Sequence, residues 1–293
     1  MKREPVRQDG LARVDAHGIA RNEMFTTYVN LLSVQMFDHG YFQGDLSWNR
    51  TGVSSPFGRL YYMIGDAGWL DTEQGRVDLL PGRMYLIPPH TRVDLRTDRR
   101  IEKFYLHFSA SFAGFDLFEG VSRCLELPLP PEHLEALLRS FRGNDVADIL
   151  LFQSVVHDTV SRFVRSYLPD VGHRLVLASK YRDLHAYVDA HLDANLTAAT
   201  VAAALELTPA AWARRYRKDT GITLNQYIHG QIVQRAARLL LLTPMGVREV
   251  AEALGFSDEF YFSRFFKKEM EYSPREYRRV GGFHGVGNYE AKE

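Results

Sequence analysis

Hydrophobic and polar residues follow different periodicities in the two halves of this 293-residue chain. In the first half, short apolar or alternating runs are separated by Gly and Pro turns, which is typical of β-strands. Phe104, Leu106 and Phe108 share one face of such a strand, and Tyr105 and His107 share the other. Many short strands of this kind predict a small antiparallel barrel or sandwich.

Beyond a Pro-rich break at residues 128–131, the apolar spacing becomes helical. It predicts one helix around Leu134–Phe141 and a second, amphipathic helix over Ile149–Tyr167. The second helix could pack on the barrel or against a second copy of the chain, and the pattern does not decide between the two. Residues 169–174 are interpreted as a linker, and the chain from 177 to about 279 is predicted to be almost wholly helical.

The helical region contains an internal repeat. The segment Val201–Thr208 matches Val250–Ser257 at an offset of 49 residues. Further on, the offset becomes 50, so that Arg214 matches Arg264. Each copy predicts a short Ala-rich helix, a turn and a second helix, which is the arrangement of a helix–turn–helix unit.

The two predicted units differ in their turns. Gly255 can take the positive φ that such a turn often needs, whereas Glu206 cannot do so as easily, so we expect a less regular first turn. The second helix of each unit, Thr208–Asp219 or Ser257–Glu269, is expected to begin with its hydroxyl residue as the cap. A connector helix from Thr223 to Leu242 would join the units.

The second helices carry clustered basic residues, which predicts contact with DNA. In a helix–turn–helix unit the second helix enters the major groove with its N-terminal part towards base edges, and two linked units could contact groove segments about 34 Å apart. Arginine suits guanine or phosphate, and lysine suits phosphate. The predicted DNA-contacting residues are Thr208, Ala210, Ala213, Arg214, Lys218, Ser257, Glu259, Ser263, Arg264, Lys267 and Lys268.

The second unit also resembles a known family. Residues Val247–Arg278 are similar to the signature of the AraC-type (arabinose-regulator-like) transcription regulators, and the resemblance extends over about Tyr181–Arg279. It implies that Arg214 and Arg264 lie at base-facing positions. Glu271 departs from the family pattern, which usually has Gly there. The base-facing set implied by the resemblance is Ala210, Ala213, Arg214, Glu259, Ser263 and Arg264; the two alanines are short, so the first unit is expected to depend more on phosphate and methyl contacts.

The N-terminal half is similar in outline to the family's cupin-like sensor barrel, through the run Leu79–Pro89. The expected fold class is therefore α+β, with an antiparallel cupin-like β-barrel followed by helices and an all-α domain with two helix–turn–helix units. The expected organisation is a flexible arm (1–20), an effector-binding barrel (21–115), a helical dimerisation or linker region (116–170), the DNA-binding domain (177–282) and a tail (283–293).

Charge and cysteine content limit the remaining classes. The chain has 36 Lys and Arg against 36 Asp and Glu, which argues against a strongly basic nucleic-acid binder. The positive charge is instead gathered on the two second helices, so we expect modest non-specific affinity and strong salt sensitivity. The single Cys124 excludes an intrachain disulfide, and a cytoplasmic setting is expected. No His-x-His cluster is present, and no metal or other cofactor is expected.

A barrel of this size can enclose one small ligand. The candidate effector-binding residues are Arg50, Trp69, Tyr105 and His107. The aromatic faces suit a sugar ring, and Arg50 could hold hydroxyls or a carboxylate, so a sugar is the candidate effector. Simple packing in the barrel core or rim is the alternative role for each aromatic residue.

The predicted function is a ligand-responsive transcription regulator and not an enzyme. Its expected partners are double-stranded promoter DNA, a small effector, RNA polymerase and a second copy of the chain, with no membrane. Activation is the family's usual outcome, and repression is equally compatible with these residues. Two alternatives stay open: a cupin-type enzyme with a helical appendage, and a constitutive DNA-binding protein whose barrel only dimerises.

Overall fold

The computed structural model describes residues 29–65, 68–112, 114–143, 145–168, 171–206 and 208–281. The predicted arm and tail lie outside these ranges. Strands occupy the first part of the described chain and helices the second, as the periodicities predict. None of the helices in the described ranges is both long and apolar enough to cross a membrane.

The strands of the described ranges form two antiparallel sheets. The larger one has six strands in the order β1-β8-β3-β6-β10, with β9 paired to β8, and the smaller has the order β2-β7-β4-β5. Strands β9 and β10 therefore extend the larger sheet beyond residue 115, where the barrel was predicted to end. The strands are β1 (Leu32–Gly44), β2 (Arg50–Val53), β3 (Gly58–Gly65), β4 (Gly68–Thr72), β5 (Gly75–Leu79), β6 (Arg83–Ile87), β7 (Val93–Arg96), β8 (Ile101–Phe112), β9 (Phe115–Asp116) and β10 (Leu125–Pro128).

Alternation along the strands separates two apolar cores. Tyr61 and Met63 of β3 pack into the core between the two sheets, together with Leu70 and Leu95 of the smaller sheet. The alternate residues of the larger sheet, Phe104 among them, face the other core. The prediction that Phe104 and Tyr105 lie on opposite faces of β8 is confirmed, because Tyr105 packs against the inter-sheet core.

Two helices, α1 (Pro131–Arg142) and α2 (Val146–Tyr167), cover the outer face of the larger sheet. Phe152, Val156 and Phe163 of α2 are buried in the core that they share with β3 and β8. The amphipathic helix therefore packs on its own barrel. Val146, Ile149 and Leu150 at the start of α2 are exposed, and so is Phe141 at the end of α1.

The described residues of the C-terminal part form helices joined by short turns. The first of its helices begins at Val171, inside the segment interpreted as a linker, because Pro169 ends a preceding helix but does not prevent a new one from starting after it. Residues 169 and 170 lie outside the described ranges. The helices are α3 (Val171–Ala190), α4 (Ala198–Ala204), α5 (Pro209–Thr220), α6 (Leu224–Leu242), α7 (Val247–Ala253), α8 (Glu259–Met270) and α9 (Pro274–Gly281).

The pairs α4–α5 and α7–α8 are the two predicted helix–turn–helix units, joined by α6. Ala202 and Ala251 are buried, which lets the helices of each pair approach closely. The turns are more alike than expected: Gly255 has φ 75°, and Glu206 adopts φ 55° in the same left-handed region. The expectation of a distinct first turn is therefore not met in the backbone at these positions.

The two halves of the chain share one apolar core. Phe37, Phe57 and Phe115 of the barrel are buried in the same cluster as the central residues of α3, α6, α8 and α9. The ring of Phe115 lies 4.2 Å from that of His185 on α3. The helical domain therefore packs directly against the barrel.

Candidate nucleic-acid interface and effector cavity

Helix α5 presents its basic residues to solvent. Tyr216 is buried, and Trp212 packs edge-on against Tyr181, so these aromatics hold the opposite face against the domain core. Asp219 accepts a hydrogen bond from the Tyr181 hydroxyl at 2.6 Å and pairs with Lys180 of α3. The acidic side chain is thus held against α3. The four basic residues, all exposed, are Arg214, Arg215, Arg217 and Lys218.

Helix α8 repeats this arrangement with a different cap. Asp258, rather than Ser257, is the N-cap residue, and its carboxylate accepts a hydrogen bond from the Tyr261 backbone at 2.7 Å. The predicted cap at Ser257 is therefore wrong by one residue, because a carboxylate satisfies the free N–H groups of the first turn as well as a hydroxyl does. Phe262 and Phe266 are fully buried, and Arg264, Lys267 and Lys268 are exposed.

Most of the predicted DNA-contacting residues lie on the outer surface of the two units. Glu259 and Ser263 are half-buried, and Glu259 lies 3.9 Å from the Arg275 guanidinium. Ala210 belongs to α5, but its side chain is outside those that the structure describes. The exposed members are Thr208, Ala213, Arg214, Lys218, Ser257, Arg264, Lys267 and Lys268.

Two exposed aromatic residues at the start of α8 were not predicted. Phe260 is 69% exposed and Tyr261 is 49% exposed, whereas the next residue, Phe262, is fully buried. Three consecutive aromatic residues cannot all face the core of a helix with 3.6 residues per turn. These three residues lie in the first turn of a helix that is predicted to enter the major groove. The run of aromatic residues is therefore the sequence signal that could have identified Phe260 and Tyr261 as exposed.

A cavity of about 110 Å³ opens between the barrel and the turn that joins α8 to α9. Three of the four candidate effector residues, Arg50, Tyr105 and His107, line it together. Glu271 and Tyr272 of the α8–α9 turn close it from the side of the helical domain. Across the described residues, no cluster of His, Cys, Asp and Glu is suited to hold a metal ion.

Trp69 does not join this group. Its neighbour Leu70 in β4 is fully buried in the inter-sheet core, so alternation directs Trp69 to the outer face of the smaller sheet. There its ring packs under the guanidinium of Arg76, at 4.2 Å. The expectation that Trp69 lines the same cavity is therefore corrected by the strand's alternation.

Two buried cations in the cavity wall, Arg59 and Lys103, were not predicted. Both follow from strand alternation: Arg59 shares a face of β3 with Tyr61, and Lys103 shares a face of β8 with Tyr105. The Lys103 ammonium lies 3.3 Å from the centre of the Tyr61 ring and 4.3 Å from that of Trp48. Burial, reinforced by the nearby guanidinium groups, holds the pKa of Lys103 well below its ordinary value.

The Arg59 guanidinium is the centre of the polar network. It donates to Glu271 Oε1 at 2.9 Å, to Ser55 Oγ at 2.6 Å and to His107 Nε2 at 2.9 Å. His107 accepts this bond and is therefore neutral, in agreement with burial and the adjacent cations, which hold its pKa well below the ordinary value. Its 3.7 Å approach to Asp38 is then not an ion pair, and burial raises the pKa of Asp38 to about 6.

Glu271 occupies an unusual backbone position. It ends α8 with φ 67°, in the left-handed region, where a residue other than glycine is disfavoured by about 1 kcal/mol. The equivalent residue after α5 is Gly221, with φ 86°. The first copy thus has the glycine that this conformation favours, and the second copy has a carboxylate directed at the barrel.

A protein-family profile described as "Helix-turn-helix domain" matches residues 201–280. The arabinose operon regulatory protein of Salmonella typhimurium is 36% identical over 101 residues, which cover 34% of this chain and 36% of that protein. The C-terminal domain is a helix–turn–helix domain of the AraC type. This AraC-type domain is also 38% identical over 96 residues to the MmsAB operon regulatory protein of Pseudomonas aeruginosa, covering 33% of this chain and 31% of that protein.

These matches concern the AraC-type domain, and the chain spans only about a third of the length of these curated relatives. Solved structures extend the likeness in fold. ToxT of Vibrio cholerae with an unsaturated fatty acid bound has a TM-score of 0.55 at 14% identity, over 88% of this chain and 97% of that one. An apo form of ToxT has a TM-score of 0.54 at 13% identity, over 83% and 97%. The fold over most of this chain is therefore similar to that of ToxT.

Proposed function

We propose that this protein is a ligand-responsive transcription regulator that binds promoter DNA through its two helix–turn–helix units. The observation that carries the proposal is the pair of matched units, whose second helices both bury an aromatic face and expose a basic one. The relatives of the AraC-type domain are named as operon regulators, which supports the same role.

The exposed side chains of α5 and α8 suit two kinds of contact with DNA, to bases and to phosphates. Arg264, in the middle of α8, can form paired hydrogen bonds with guanine in the major groove, and the exposed Phe260 can contact a thymine methyl group. Lys218, Lys267 and Lys268 lie towards the C-terminal ends of their helices and suit phosphates, which position the protein without contributing sequence information.

The barrel cavity is the proposed effector site, with Arg50, Tyr105 and His107 in its wall. A sugar could stack on Tyr105 with its hydroxyl groups towards Arg50, but the cationic side chains favour an acidic ligand over a neutral one. Because Glu271 connects this cavity to the end of α8, an effector bound here can favour one arrangement of the AraC-type domain over another, which is the requirement for a ligand-driven switch.

Dimerisation and contact with RNA polymerase complete the proposed mechanism. The exposed apolar residues Val146, Ile149 and Leu150 at the start of α2 provide a surface on which two copies could associate. A dimer would place four helix–turn–helix units on the promoter, and the effector would change their spacing.

Selection of bound sequences from random duplex DNA tests the proposal, using the full chain with and without a mixture of cell metabolites. We expect enrichment of a motif with two segments about one helical turn apart, and a change in its recovery when metabolites are present. Enrichment that no metabolite changes would support constitutive binding instead. A complete failure to enrich any sequence would refute the proposed function and leave the enzyme alternative.

A further inference from the structure

The α8–α9 turn and the barrel meet through one carboxylate and two guanidinium groups. Glu271 accepts a hydrogen bond from Arg50 at 2.8 Å on one carboxylate oxygen and from Arg59 at 2.9 Å on the other. The Arg59 side chain is only 5% exposed and that of Glu271 only 20% exposed. A carboxylate held between two guanidinium groups has the geometry of a bound carboxylate ligand.

The positive charge of this cavity exceeds what Glu271 balances. Arg50, Arg59 and Lys103 line it together, and across the described residues no carboxylate lies within 4.0 Å of the Lys103 ammonium. Arg59 Nε is also buried and has no hydrogen-bond partner in the described part of the chain. Buried donors of this kind are ordinarily satisfied, so with Glu271 in place Arg59 leaves one donor unused.

The second copy of the repeat supplies this carboxylate at a position where the first copy has glycine. Gly221 approaches the barrel too, and its backbone lies so close to Gly120 that a Cβ atom would be 2.8 Å from the Gly120 Cα. The first unit thus contacts the barrel through bare backbone. The second unit contacts it through a side chain that reaches into a cationic cavity, although its left-handed conformation disfavours any side chain.

We propose that this cavity binds a small organic acid, with its carboxylate on Arg50, Arg59 and Lys103, and that Glu271 is the internal carboxylate that the ligand displaces. The rings of Trp48, Tyr61 and Tyr105 in the wall fit a flat apolar body. A cavity of about 150 Å³ holds benzene, so a single-ring acid needs both this cavity of about 110 Å³ and the space that the displaced Glu271 side chain leaves.

Displacement of Glu271 would act on the DNA-binding unit directly, because this residue follows the last turn of α8. With Glu271 in place, the second unit is held against the barrel. With a ligand carboxylate in its place, the turn is released. Glu271 competes with the ligand for the same groups. The apparent affinity for the ligand is therefore the intrinsic affinity multiplied by the fraction of molecules in which Glu271 has left the site. The link to DNA rests on the proposed function, whereas the binding of the acid does not.

Calorimetric titration of the full chain with benzoate tests the displacement without DNA. We expect the Glu271→Gln variant to bind benzoate about tenfold more tightly than the unsubstituted chain, because the internal competitor has lost its charge. Glu252→Gln, a charge removal at an exposed residue of α7, is the matched control and should leave the affinity unchanged. Equal affinities of the Glu271→Gln variant and the unsubstituted chain, or equal tightening in the control, would overturn displacement.

Two further measurements test the class of ligand. Benzamide has the same ring without the charge, and we expect it not to bind; binding as tight as that of benzoate would overturn the assignment to an acid. Lys103→Met replaces the buried cation with an apolar chain of similar length, and we expect it to lose benzoate binding while keeping the thermal unfolding midpoint of a folded protein. Undiminished benzoate affinity in this folded variant would contradict the role of Lys103.

DNA binding separates this inference from the proposed function. We expect benzoate to change the affinity of the unsubstituted chain for its selected duplex, and the Glu271→Gln variant to have the benzoate-bound affinity without any ligand. A chain that binds benzoate as described but enriches no DNA sequence would refute the regulator and keep the acid site. A chain that enriches a DNA sequence but binds no benzoate in any variant would refute the acid site and keep the regulator.

Discussion

The hydroxyl of Tyr277 in α9 donates a hydrogen bond of 2.7 Å to the main-chain carbonyl of Phe37 in β1, 240 residues away in sequence. The register of β1 against β8 shifts between Met36 and Asp38, so Phe37 is the extra residue of a bulge. Its carbonyl is therefore outside the regular ladder of the sheet. The last helix of the AraC-type domain thus provides a hydrogen-bond donor for a carbonyl that has no regular partner in the sheet.

Removal of this hydroxyl should weaken the contact between the two halves. In the Tyr277→Phe variant the buried carbonyl of Phe37 loses its partner, and we expect the free energy of unfolding to fall by about 1–3 kcal/mol. Tyr261→Phe, which removes an exposed hydroxyl from the same domain, is the control and should change it by less than about 0.5 kcal/mol. Denaturant unfolding of the full chain measures both, and equal values for the two variants would contradict this account.

Arg264 and Lys268 should affect DNA binding in different ways. Arg264→Ala should weaken binding to the selected duplex by about 1–3 kcal/mol and relax the base preference at one position. Lys268→Ala should weaken binding to all sequences and reduce the salt dependence by about one unit of slope. Fluorescence anisotropy over a range of salt concentrations measures both effects.

Arg182 provides the control for these two substitutions, because it is an exposed arginine on α3 and belongs to neither α5 nor α8. Arg182→Ala should retain the unsubstituted affinity for the selected duplex. If Arg264→Ala lost the same affinity for selected and random DNA, Arg264 would be a phosphate contact and not a base contact.

The exposed ring of Phe260 should contribute to DNA binding and little to stability. Because it is 69% exposed, Phe260→Ala should change the free energy of unfolding by less than about 0.5 kcal/mol. The same substitution should weaken binding to the selected duplex several-fold. Leu242→Ala, at an exposed residue that ends α6, should alter neither quantity. An unchanged DNA affinity in the Phe260 variant would remove this residue from the interface.

His185 should make the folded chain sensitive to acid. It is buried between Phe115 of the barrel and Tyr227, and burial lowers its pKa from 6.5 to about 3. Below pH 6.5 the unfolded chain binds a proton at His185, and the folded chain does not until about pH 3. The free energy of unfolding should therefore fall with decreasing pH across this window, by roughly 1.4 kcal/mol per pH unit for this group.

His185→Gln removes the titrating group and tests this pH dependence. Gln cannot take up a proton here, so the variant should lose less stability than the unsubstituted chain between pH 6.5 and pH 5. The comparison isolates His185 from His107, whose lowered pKa acts in the same direction in both proteins. Parallel pH profiles of the two proteins would contradict the assignment.

The sequence predicts the parts of this molecule that follow from local pattern. The two helix–turn–helix units are found because Ala202 and Ala251, the turn at Gly255 and the basic residues of the second helices recur at a fixed offset. The opposite faces of Phe104 and Tyr105 follow from alternation. Alternation also places Arg59 and Lys103 on the same face as Tyr61 and Tyr105. Both were missed because a charged residue in a strand is ordinarily assigned to the solvent side.

Other features depend on contacts between distant segments, and no local pattern contains them. Glu271 was visible as a departure from glycine, but its meaning depends on Arg50 and Arg59, more than 200 residues away. The extra residue at Phe37 is defined only by the register of β1 against β8. Even Trp69, an aromatic residue with the right chemistry for a ligand, could not be placed on the outer face until the sheet was known.

Above all, we propose that the chain binds specific DNA through the AraC-type domain. An anisotropy titration of the full chain tests it most directly, with the selected duplex compared with a scrambled duplex of the same length and composition at physiological salt. We expect the selected duplex to bind at least about 1,000-fold more tightly. Equal affinity for the two duplexes would contradict it.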